Sequence, residues 1–514
     1  MLANLNITRL SVYLVGIVVV GIPAALYLMR GVSYEKAFVL MVLTLPLLYG
    51  LVLNIGGNFR ITYVFAVLAF GLGLMQGKLR TFPKEPAVLF LSAFVIYAVF
   101  STALTFGIDT SGPKEAAGFR LSSLRSVIQA GQLLLMVMAF YVTINYVTSL
   151  ERLRRFSNLV FWSTAAVTLY GTYDFFTALY SLPFFSVIYD LSYYAGGSDG
   201  PIFTAGGMNI PRPRSTLGEP ADLSTFLLFG IPYSIASLAS ERTASLRVVK
   251  ICFIVLGCML FAVANSRASL LAIPVIFALV LWLAPGYVAR LKMLLAGAAV
   301  YLLVALALFP LAGGKGDVLL PIHFFAERMS SLQNIGANLR GEPGGASIGR
   351  GYALPLKVFR EHPVFGVGLG NYPFYYSELS GSPVIVVAST FSLYFRLLTE
   401  LGIIGTSLFL LFVVTTLWRL LRVIKRSSDR MLRPTAIAAL ISIVGVMIAR
   451  VGLDGLYTDS YIWVMLGIGV AIPWLAYRGQ ESDVPEQWLA TVPAIPAVLI
   501  GRQVVIPSDL EGAE

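Results

Sequence analysis

The chain has 514 residues, of which 57% are hydrophobic and 12% charged, and its mean hydropathy is +0.81. That balance excludes a string of soluble domains and assigns an all-α, polytopic membrane protein of about 12–14 transmembrane helices. The net charge of +11 lies mostly in short connections between apolar runs, where membrane topology accounts for it, so no nucleic-acid partner is expected. Cys252 and Cys258 fall in one apolar run and face different sides of it, which supports neither a disulfide framework nor a zinc site. With His323 and His362 the only histidines, a histidine-rich metal centre is excluded too, and neither metal nor cofactor is expected.

Apolar runs long enough to cross a hydrocarbon core occur at 10–29, 37–53, 61–76, 87–106, 124–147, 157–180, 221–240, 248–265, 268–284, 293–311, 389–416, 434–451 and 459–476. The first lacks a small-residue cleavage pattern and reads as a retained helix. Arg152, Arg154, Arg155, Arg242, Arg247, Arg290, Lys292, Arg419, Arg422, Lys425, Arg426, Arg430 and Arg433 fall on one side of this arrangement, the cytoplasmic side by the positive-inside rule. The chain then divides into N-terminal transmembrane helices (1–180), an extracytoplasmic loop (181–220), central helices (221–311), a large extracytoplasmic loop (312–388), C-terminal helices (389–476) and a cytoplasmic tail (477–514). A loop as long as 312–388 should carry function or structure of its own. Ile322, Phe325, Met329 and Leu332 recur in it at helical spacing and predict an amphipathic surface helix.

Ionisable groups inside spans mark function or pairing. Arg125, Asp174, Arg267, Arg396, Glu400, Arg450 and Asp454 all fall in the outer third of their spans or at its edge, which predicts a polar chamber open to the outer face above an apolar floor. Pairing is an equally open reading for four of them, Arg396 with Glu400 and Arg450 with Asp454, each pair four residues apart.

Three stretches combine polar groups with the geometry to use them. In Pro211-Arg212-Pro213-Arg214, prolines stiffen a segment whose two guanidinium groups suit phosphate oxygens, although interfacial snorkelling would use the same residues. Glu219 and Asp222 follow, and Asp222 stands where a helix N-cap belongs. Next, Asn265-Ser266-Arg267 is a polar hairpin between two spans. Last, Arg350 precedes a periodic segment that ends in Gly366-Val367-Gly368-Leu369-Gly370-Asn371-Tyr372. No Gly-Lys-Ser/Thr follows these glycines, which rules out a nucleotide phosphate loop. Tyr372, Tyr375 and Tyr376 suit sugar rings or, equally, an interfacial aromatic belt.

The ordered set Arg214-Ser-Thr-Leu-Gly-Glu-Pro220, Ser266-Arg267, Glu327-Arg328, Arg350, Arg360-Glu-His-Pro through Tyr372, and Thr399-Glu-Leu-Gly-Ile-Ile-Gly405 resembles the O-antigen ligase/polymerase family of bacterial membrane glycosyltransferases. The resemblance covers residues 200–475. It implies a GT-C-like helical bundle that moves a glycan from an undecaprenyl-diphosphate carrier to an acceptor hydroxyl outside the inner membrane, without metal or nucleotide. A polymerase of this kind would also meet a chain-length regulator. Ligases of the family carry a His-Asn pair before the Glu-x-Gly helix, where this chain has Ser389-Thr390-Phe391-Ser392, and Ala221 stands where an asparagine follows the proline of the first motif. Those departures favour the polymerase branch, making O-antigen or another exopolysaccharide.

On this reading Arg214, Arg267 and Arg350 bind the diphosphate, with Arg212 and Arg328 assisting, while Glu219, His362 or Glu400 takes the acceptor proton. Asn371, Tyr372, Tyr376, Arg396, Glu400 and Arg450 are the candidates for further substrate contacts. The alternatives are a ligase, or protein O-oligosaccharyltransferase, acting on another acceptor, and a flippase for the same lipid. A flippase should place charge near the midplane of its spans, and most spans here have none.

Overall fold

The computed structural model describes residues 33–47, 52–54, 58–79, 85–107, 122–180, 202–205, 208–264, 266–283, 297, 348–380 and 392–481. The all-α expectation holds: apart from two short hairpins, the regular structure is helical. In order come α1 (Tyr34–Leu43), β1 (Val52–Asn54), β2 (Asn58–Arg60), α2 (Ile61–Met75), α3 (Pro86–Ser101), α4 (Ser122–Tyr146) and α5 (Leu150–Tyr180). After β3 (Ile202–Ala205) and β4 (Met208–Pro211) follow α6 (Pro220–Ala239), α7 (Ala244–Ala264), α8 (Arg267–Leu270) and α9 (Ala272–Leu283). The last group is α10 (Ile348–Glu361), α11 (Tyr372–Ser380), α12 (Leu393–Arg426), α13 (Leu432–Ala449) and α14 (Ser460–Glu481). Each hairpin is antiparallel, Val52 opposite Arg60 in one and Ile202 opposite Pro211 in the other.

Seven of these helices are long and apolar enough to cross a membrane: α3 with its 3₁₀ extension, α4, α6, α7, α12, α13 and α14. The protein is a multi-pass membrane protein. Apolar side chains on the facing sides of α6, α13, α14, α4 and α12 form one continuous core, with Phe226, Phe229, Tyr461, Phe140, Phe412 and Phe409 packed ring against ring. The opposite helix faces keep Leu89, Ile96, Trp162, Val248 and Val414 uncovered, as lipid-facing residues should be.

The helix ends sort into two layers. At one end Glu35 meets Arg152 at 2.9 Å, Glu241 meets Lys250 at 3.1 Å, Glu85 pairs with Arg419, and Lys425 lies over Trp282. This end carries the Lys/Arg excess read from the sequence. The other end collects Arg60, Asp174, Arg214, Arg396, Arg450 and Asp459, and is called the site end below.

The expected span at 37–53 is corrected: α1 stops at Leu43, where the Thr44 hydroxyl bonds the Leu40 carbonyl at 2.8 Å, and the chain turns through Pro46 toward the first hairpin. Ten helical residues, about 15 Å long, are too few to span. The expected spans 10–29 and 293–311 and the surface helix at Ile322–Leu332 lie outside the described residues, apart from Gly297.

Candidate active site

The first motif is fixed by a carboxylate from another helix. Asp174, buried near the end of α5, accepts hydrogen bonds through Oδ2 from the backbone N–H groups of Arg214 (2.6 Å) and Ser215 (3.0 Å). Ser215 has φ of +54°, a left-handed conformation that side chains rarely adopt, and is held there by Asp174 and by its own hydroxyl, which donates to the Val167 carbonyl at 2.8 Å. Thr216 ties the same turn to the Pro46 carbonyl at 2.9 Å. The segment that presents the arginines is thus anchored at three consecutive residues.

These anchors bring sequence-distant charges together. Arg212 donates from Nε to the Ala264 carbonyl at 3.0 Å, at the end of α7, and acts electrostatically on both Glu219 and Arg267; Arg214 also acts on Glu219. Two arginines therefore act on one carboxylate, and a third, Arg267, stands within electrostatic reach of Arg212. Glu219 stays in contact with solvent. Its surroundings nevertheless strip away part of its hydration and raise its pKa, against the opposing pull of Arg214 and Arg212. Arg212 is held below its ordinary value by burial, with Arg267 adding to the effect and Glu219 opposing it. Glu219, not Asp222, occupies the N-cap position of α6, because Pro220 takes the first helical residue. Asp222 is instead buried in the first turn, where it faces Asp459, Arg450 and Arg60.

The glycine-rich turn packs against a break in a transmembrane helix. Helix α12 is broken at Gly402, whose φ is +60° and ψ −164°, so the helix cannot satisfy its own backbone there. The turn supplies the missing partners: Val367 N–H bonds Thr399 O at 2.9 Å, Gly368 N–H bonds Glu400 O at 2.8 Å, and Ile403 N–H bonds Pro363 O at 2.9 Å. Two bare backbones touch at this point. A Cβ on Gly366 would lie 2.5 Å from the Glu400 carbonyl, and one on Gly402 would lie 2.6 Å from the Gly366 nitrogen. Gly402→Ala should therefore open the break and lower the yield of monodisperse protein in detergent, whereas Gly71→Ala, with open space around it, should match the parent.

Asn371 closes the turn, donating to the Val367 carbonyl and accepting from Ser126 of α4, both at 2.8 Å. It is fully buried with its amide engaged. For Arg450 the expected pairing partner differs. It is wholly enclosed, pairs with Asp459 at 2.6 Å rather than with the carboxylate of Asp454, and gives its remaining hydrogen bonds to the Asp454 carbonyl and the Tyr461 hydroxyl. Arg396 pairs more closely with Asp454 (2.6 Å) than with Glu400 (3.4 Å), and also donates to Gln129 at 2.9 Å. Tyr372 is buried against Val358 and Val367, Tyr376 is half-buried beside it, and His362 stands edge-on to Tyr375 at 5.4 Å. Arg350 lies in the first turn of α10, and Arg328 lies outside the described residues.

Sequence reasoning passed over Arg60 and Asp459. Their ion pair at 3.0 Å joins residues 399 positions apart. Each stands beside an apolar run and looks, in sequence, like an ordinary interfacial charge.

A helical membrane bundle with an arginine-rich polar site at one end is the class that these observations define. Residues 252–410 match the Wzy_C family model, described as O-antigen ligase. No curated relative matches the chain.

Proposed function

We propose that the protein is a polymerase that joins undecaprenyl-diphosphate-linked oligosaccharide repeat units into O-antigen or exopolysaccharide, with the site end facing the periplasm. The observation that carries this reading is the grouping of three arginines at one place: Arg212 and Arg214 act on the exposed Glu219, and Arg267 acts on Arg212. Cleaving a glycosyl diphosphate builds positive charge on the sugar and negative charge on the departing diphosphate. Preplaced guanidinium groups in a partly desolvated site stabilise the anion as it forms, and their charge does not depend on pH. Arg350, on the helix that leads to the glycine turn, completes the donor set in this proposal.

The polymerase branch is favoured by Ser389-Thr390-Phe391-Ser392, which offers no imidazole where ligases of the family carry histidine. A ligase is the second reading, favoured by the description of the family model that residues 252–410 match. The two separate in one assay. Purified protein given only lipid-linked repeat units yields a ladder of longer chains if it is a polymerase; a ligase leaves the units unchanged until a different acceptor is added.

A further inference from the structure

Four polar groups meet within the bundle near the break in α12, and the described residues leave most of their hydrogen-bonding capacity unused. The hydroxyls of Tyr372 and Tyr457 are buried without a hydrogen-bond partner among those residues, while the Glu400 carboxylate, which can accept several bonds, has the long 3.4 Å ion pair to Arg396 Nε and the backbone N–H of Gly370. Glu400 is 0% exposed and the two tyrosines 1% each. They are neighbours: Tyr372 and Tyr457 both feel the charge of Glu400, and the Arg396 guanidinium lies 4.8 Å from the centre of the Tyr457 ring. The rest of the Arg396 fork is engaged by Asp454 and Gln129.

Burying a polar group without a partner is costly, and one lone instance can be tolerated. Tyr233 is such an instance, with a buried, unpaired hydroxyl and no charged group acting on it. Two unpaired hydroxyls around a carboxylate are another matter, because their costs add and one small molecule can satisfy them together. Other buried tyrosines at helix ends are paired: Tyr34 donates to the Val142 carbonyl at 2.9 Å and Tyr63 to the Thr458 carbonyl at 2.8 Å.

We propose that Glu400, Tyr372, Tyr457 and the Arg396 Nε–H form a buried hydroxyl-binding site. The partner must donate to a carboxylate while accepting from a tyrosine O–H or a guanidinium N–H. A hydroxyl does both, and two sources supply one: water, or a sugar hydroxyl of the glycan. Free cations are disfavoured, because Arg396 already contributes positive charge at the same place. The site is independent of the proposed transfer reaction; only the sugar source rests on that reading.

The test is synchrotron hydroxyl-radical footprinting of the full chain in nanodiscs, which labels buried side chains beside bound water. Tyr372 and Tyr457 are expected to be modified several-fold faster than Tyr233, Tyr34 and Tyr63. If lipid-linked repeat units extracted from native membranes then protect both residues, the hydroxyl belongs to the glycan; if labelling is unchanged, it belongs to water. Labelling no faster than that of Tyr233 would overturn the site. Melting gives a second readout. Tyr457→Phe removes one member while keeping the ring, so a hydroxyl site predicts a lower melting temperature, and a dry pocket predicts an equal or higher one. Neither measurement needs turnover, so the site can fail while the transferase reading stands, and the reverse.

Discussion

Arg267→Lys should reduce glycan transfer by about 100- to 1000-fold, the usual effect of removing one preplaced donor from a charge-stabilising site, while leaving the protein inserted and its melting temperature near that of the parent. Lysine keeps the charge but loses the planar fork that can hold two oxygens of one phosphate. Arg267 is well suited to show the difference. It opens the short helix after the hairpin, it is half-buried, and its Nε has no hydrogen-bond partner among the described residues. Arg267 adds its charge to that of Arg212, while the single carboxylate of Glu219 serves both Arg212 and Arg214; this leaves an excess of positive charge in partly desolvated surroundings, and an anionic ligand is what would relieve it. The same logic gives a companion result for Glu219→Gln: with the internal counter-charge removed, inorganic pyrophosphate should inhibit at lower concentration. Unchanged transfer by Arg267→Lys, measured as chain growth from lipid-linked units, would remove Arg267 from the diphosphate site.

How much of this was legible in the sequence depended on how far apart the interacting residues lie along the chain. The fold class followed from hydropathy, since nothing but a bundle of helices satisfies so long an apolar backbone in lipid. The clustering of Gly366, Gly368 and Gly370 marked a tight turn, and all three have positive φ. Their purpose was not visible, because the partner backbone at Thr399–Ile404 is a helix break that only Gly402 hints at. Pairing within one turn of helix can be read from spacing, and the Arg396–Glu400 contact exists at 3.4 Å. Spacing says nothing of a stronger competitor on another segment, and Asp454 is that competitor for Arg396, as Asp459 is for Arg450. Asp174 is the clearest case of a residue that the sequence flagged without showing its task. An acid inside an apolar run flags an unusual site, but only the packing of α5 against the turn before α6 shows that it anchors the backbone of Arg214 and Ser215.

Asp459→Asn should destabilise the protein by about 3–5 kcal/mol, as expected when one partner of a buried ion pair is lost, and thereby affect the site from outside it. The carboxylate of Asp459 is 4% exposed and serves two arginines at once, Arg60 through Oδ1 at 3.0 Å and Arg450 through Oδ2 at 2.6 Å. With asparagine in its place both guanidinium groups remain buried, with Asp222 as the nearby counter-charge shown among the described residues. The loss would spread because the network ties four segments: Arg60 opens α2, Asp222 sits in the first turn of α6, Arg450 ends α13 and Asp459 precedes α14. Glu219 lies three residues before Asp222, and the residue whose carbonyl Arg450 binds is the Asp454 that holds Arg396. Loosening the network should therefore lower transfer by misplacing Glu219 and the arginines around it, at temperatures where the bundle is still folded. The triple variant Arg60→Met, Arg450→Met, Asp459→Leu distinguishes a charge left unpaired from a contact that was itself stabilising. Removing every partner together leaves only Asp222 to be buried, as a neutral acid, so the triple variant should melt above Asp459→Asn. Melting of Asp459→Asn at the parent temperature would show that water reaches these arginines and that the network does not anchor the site end.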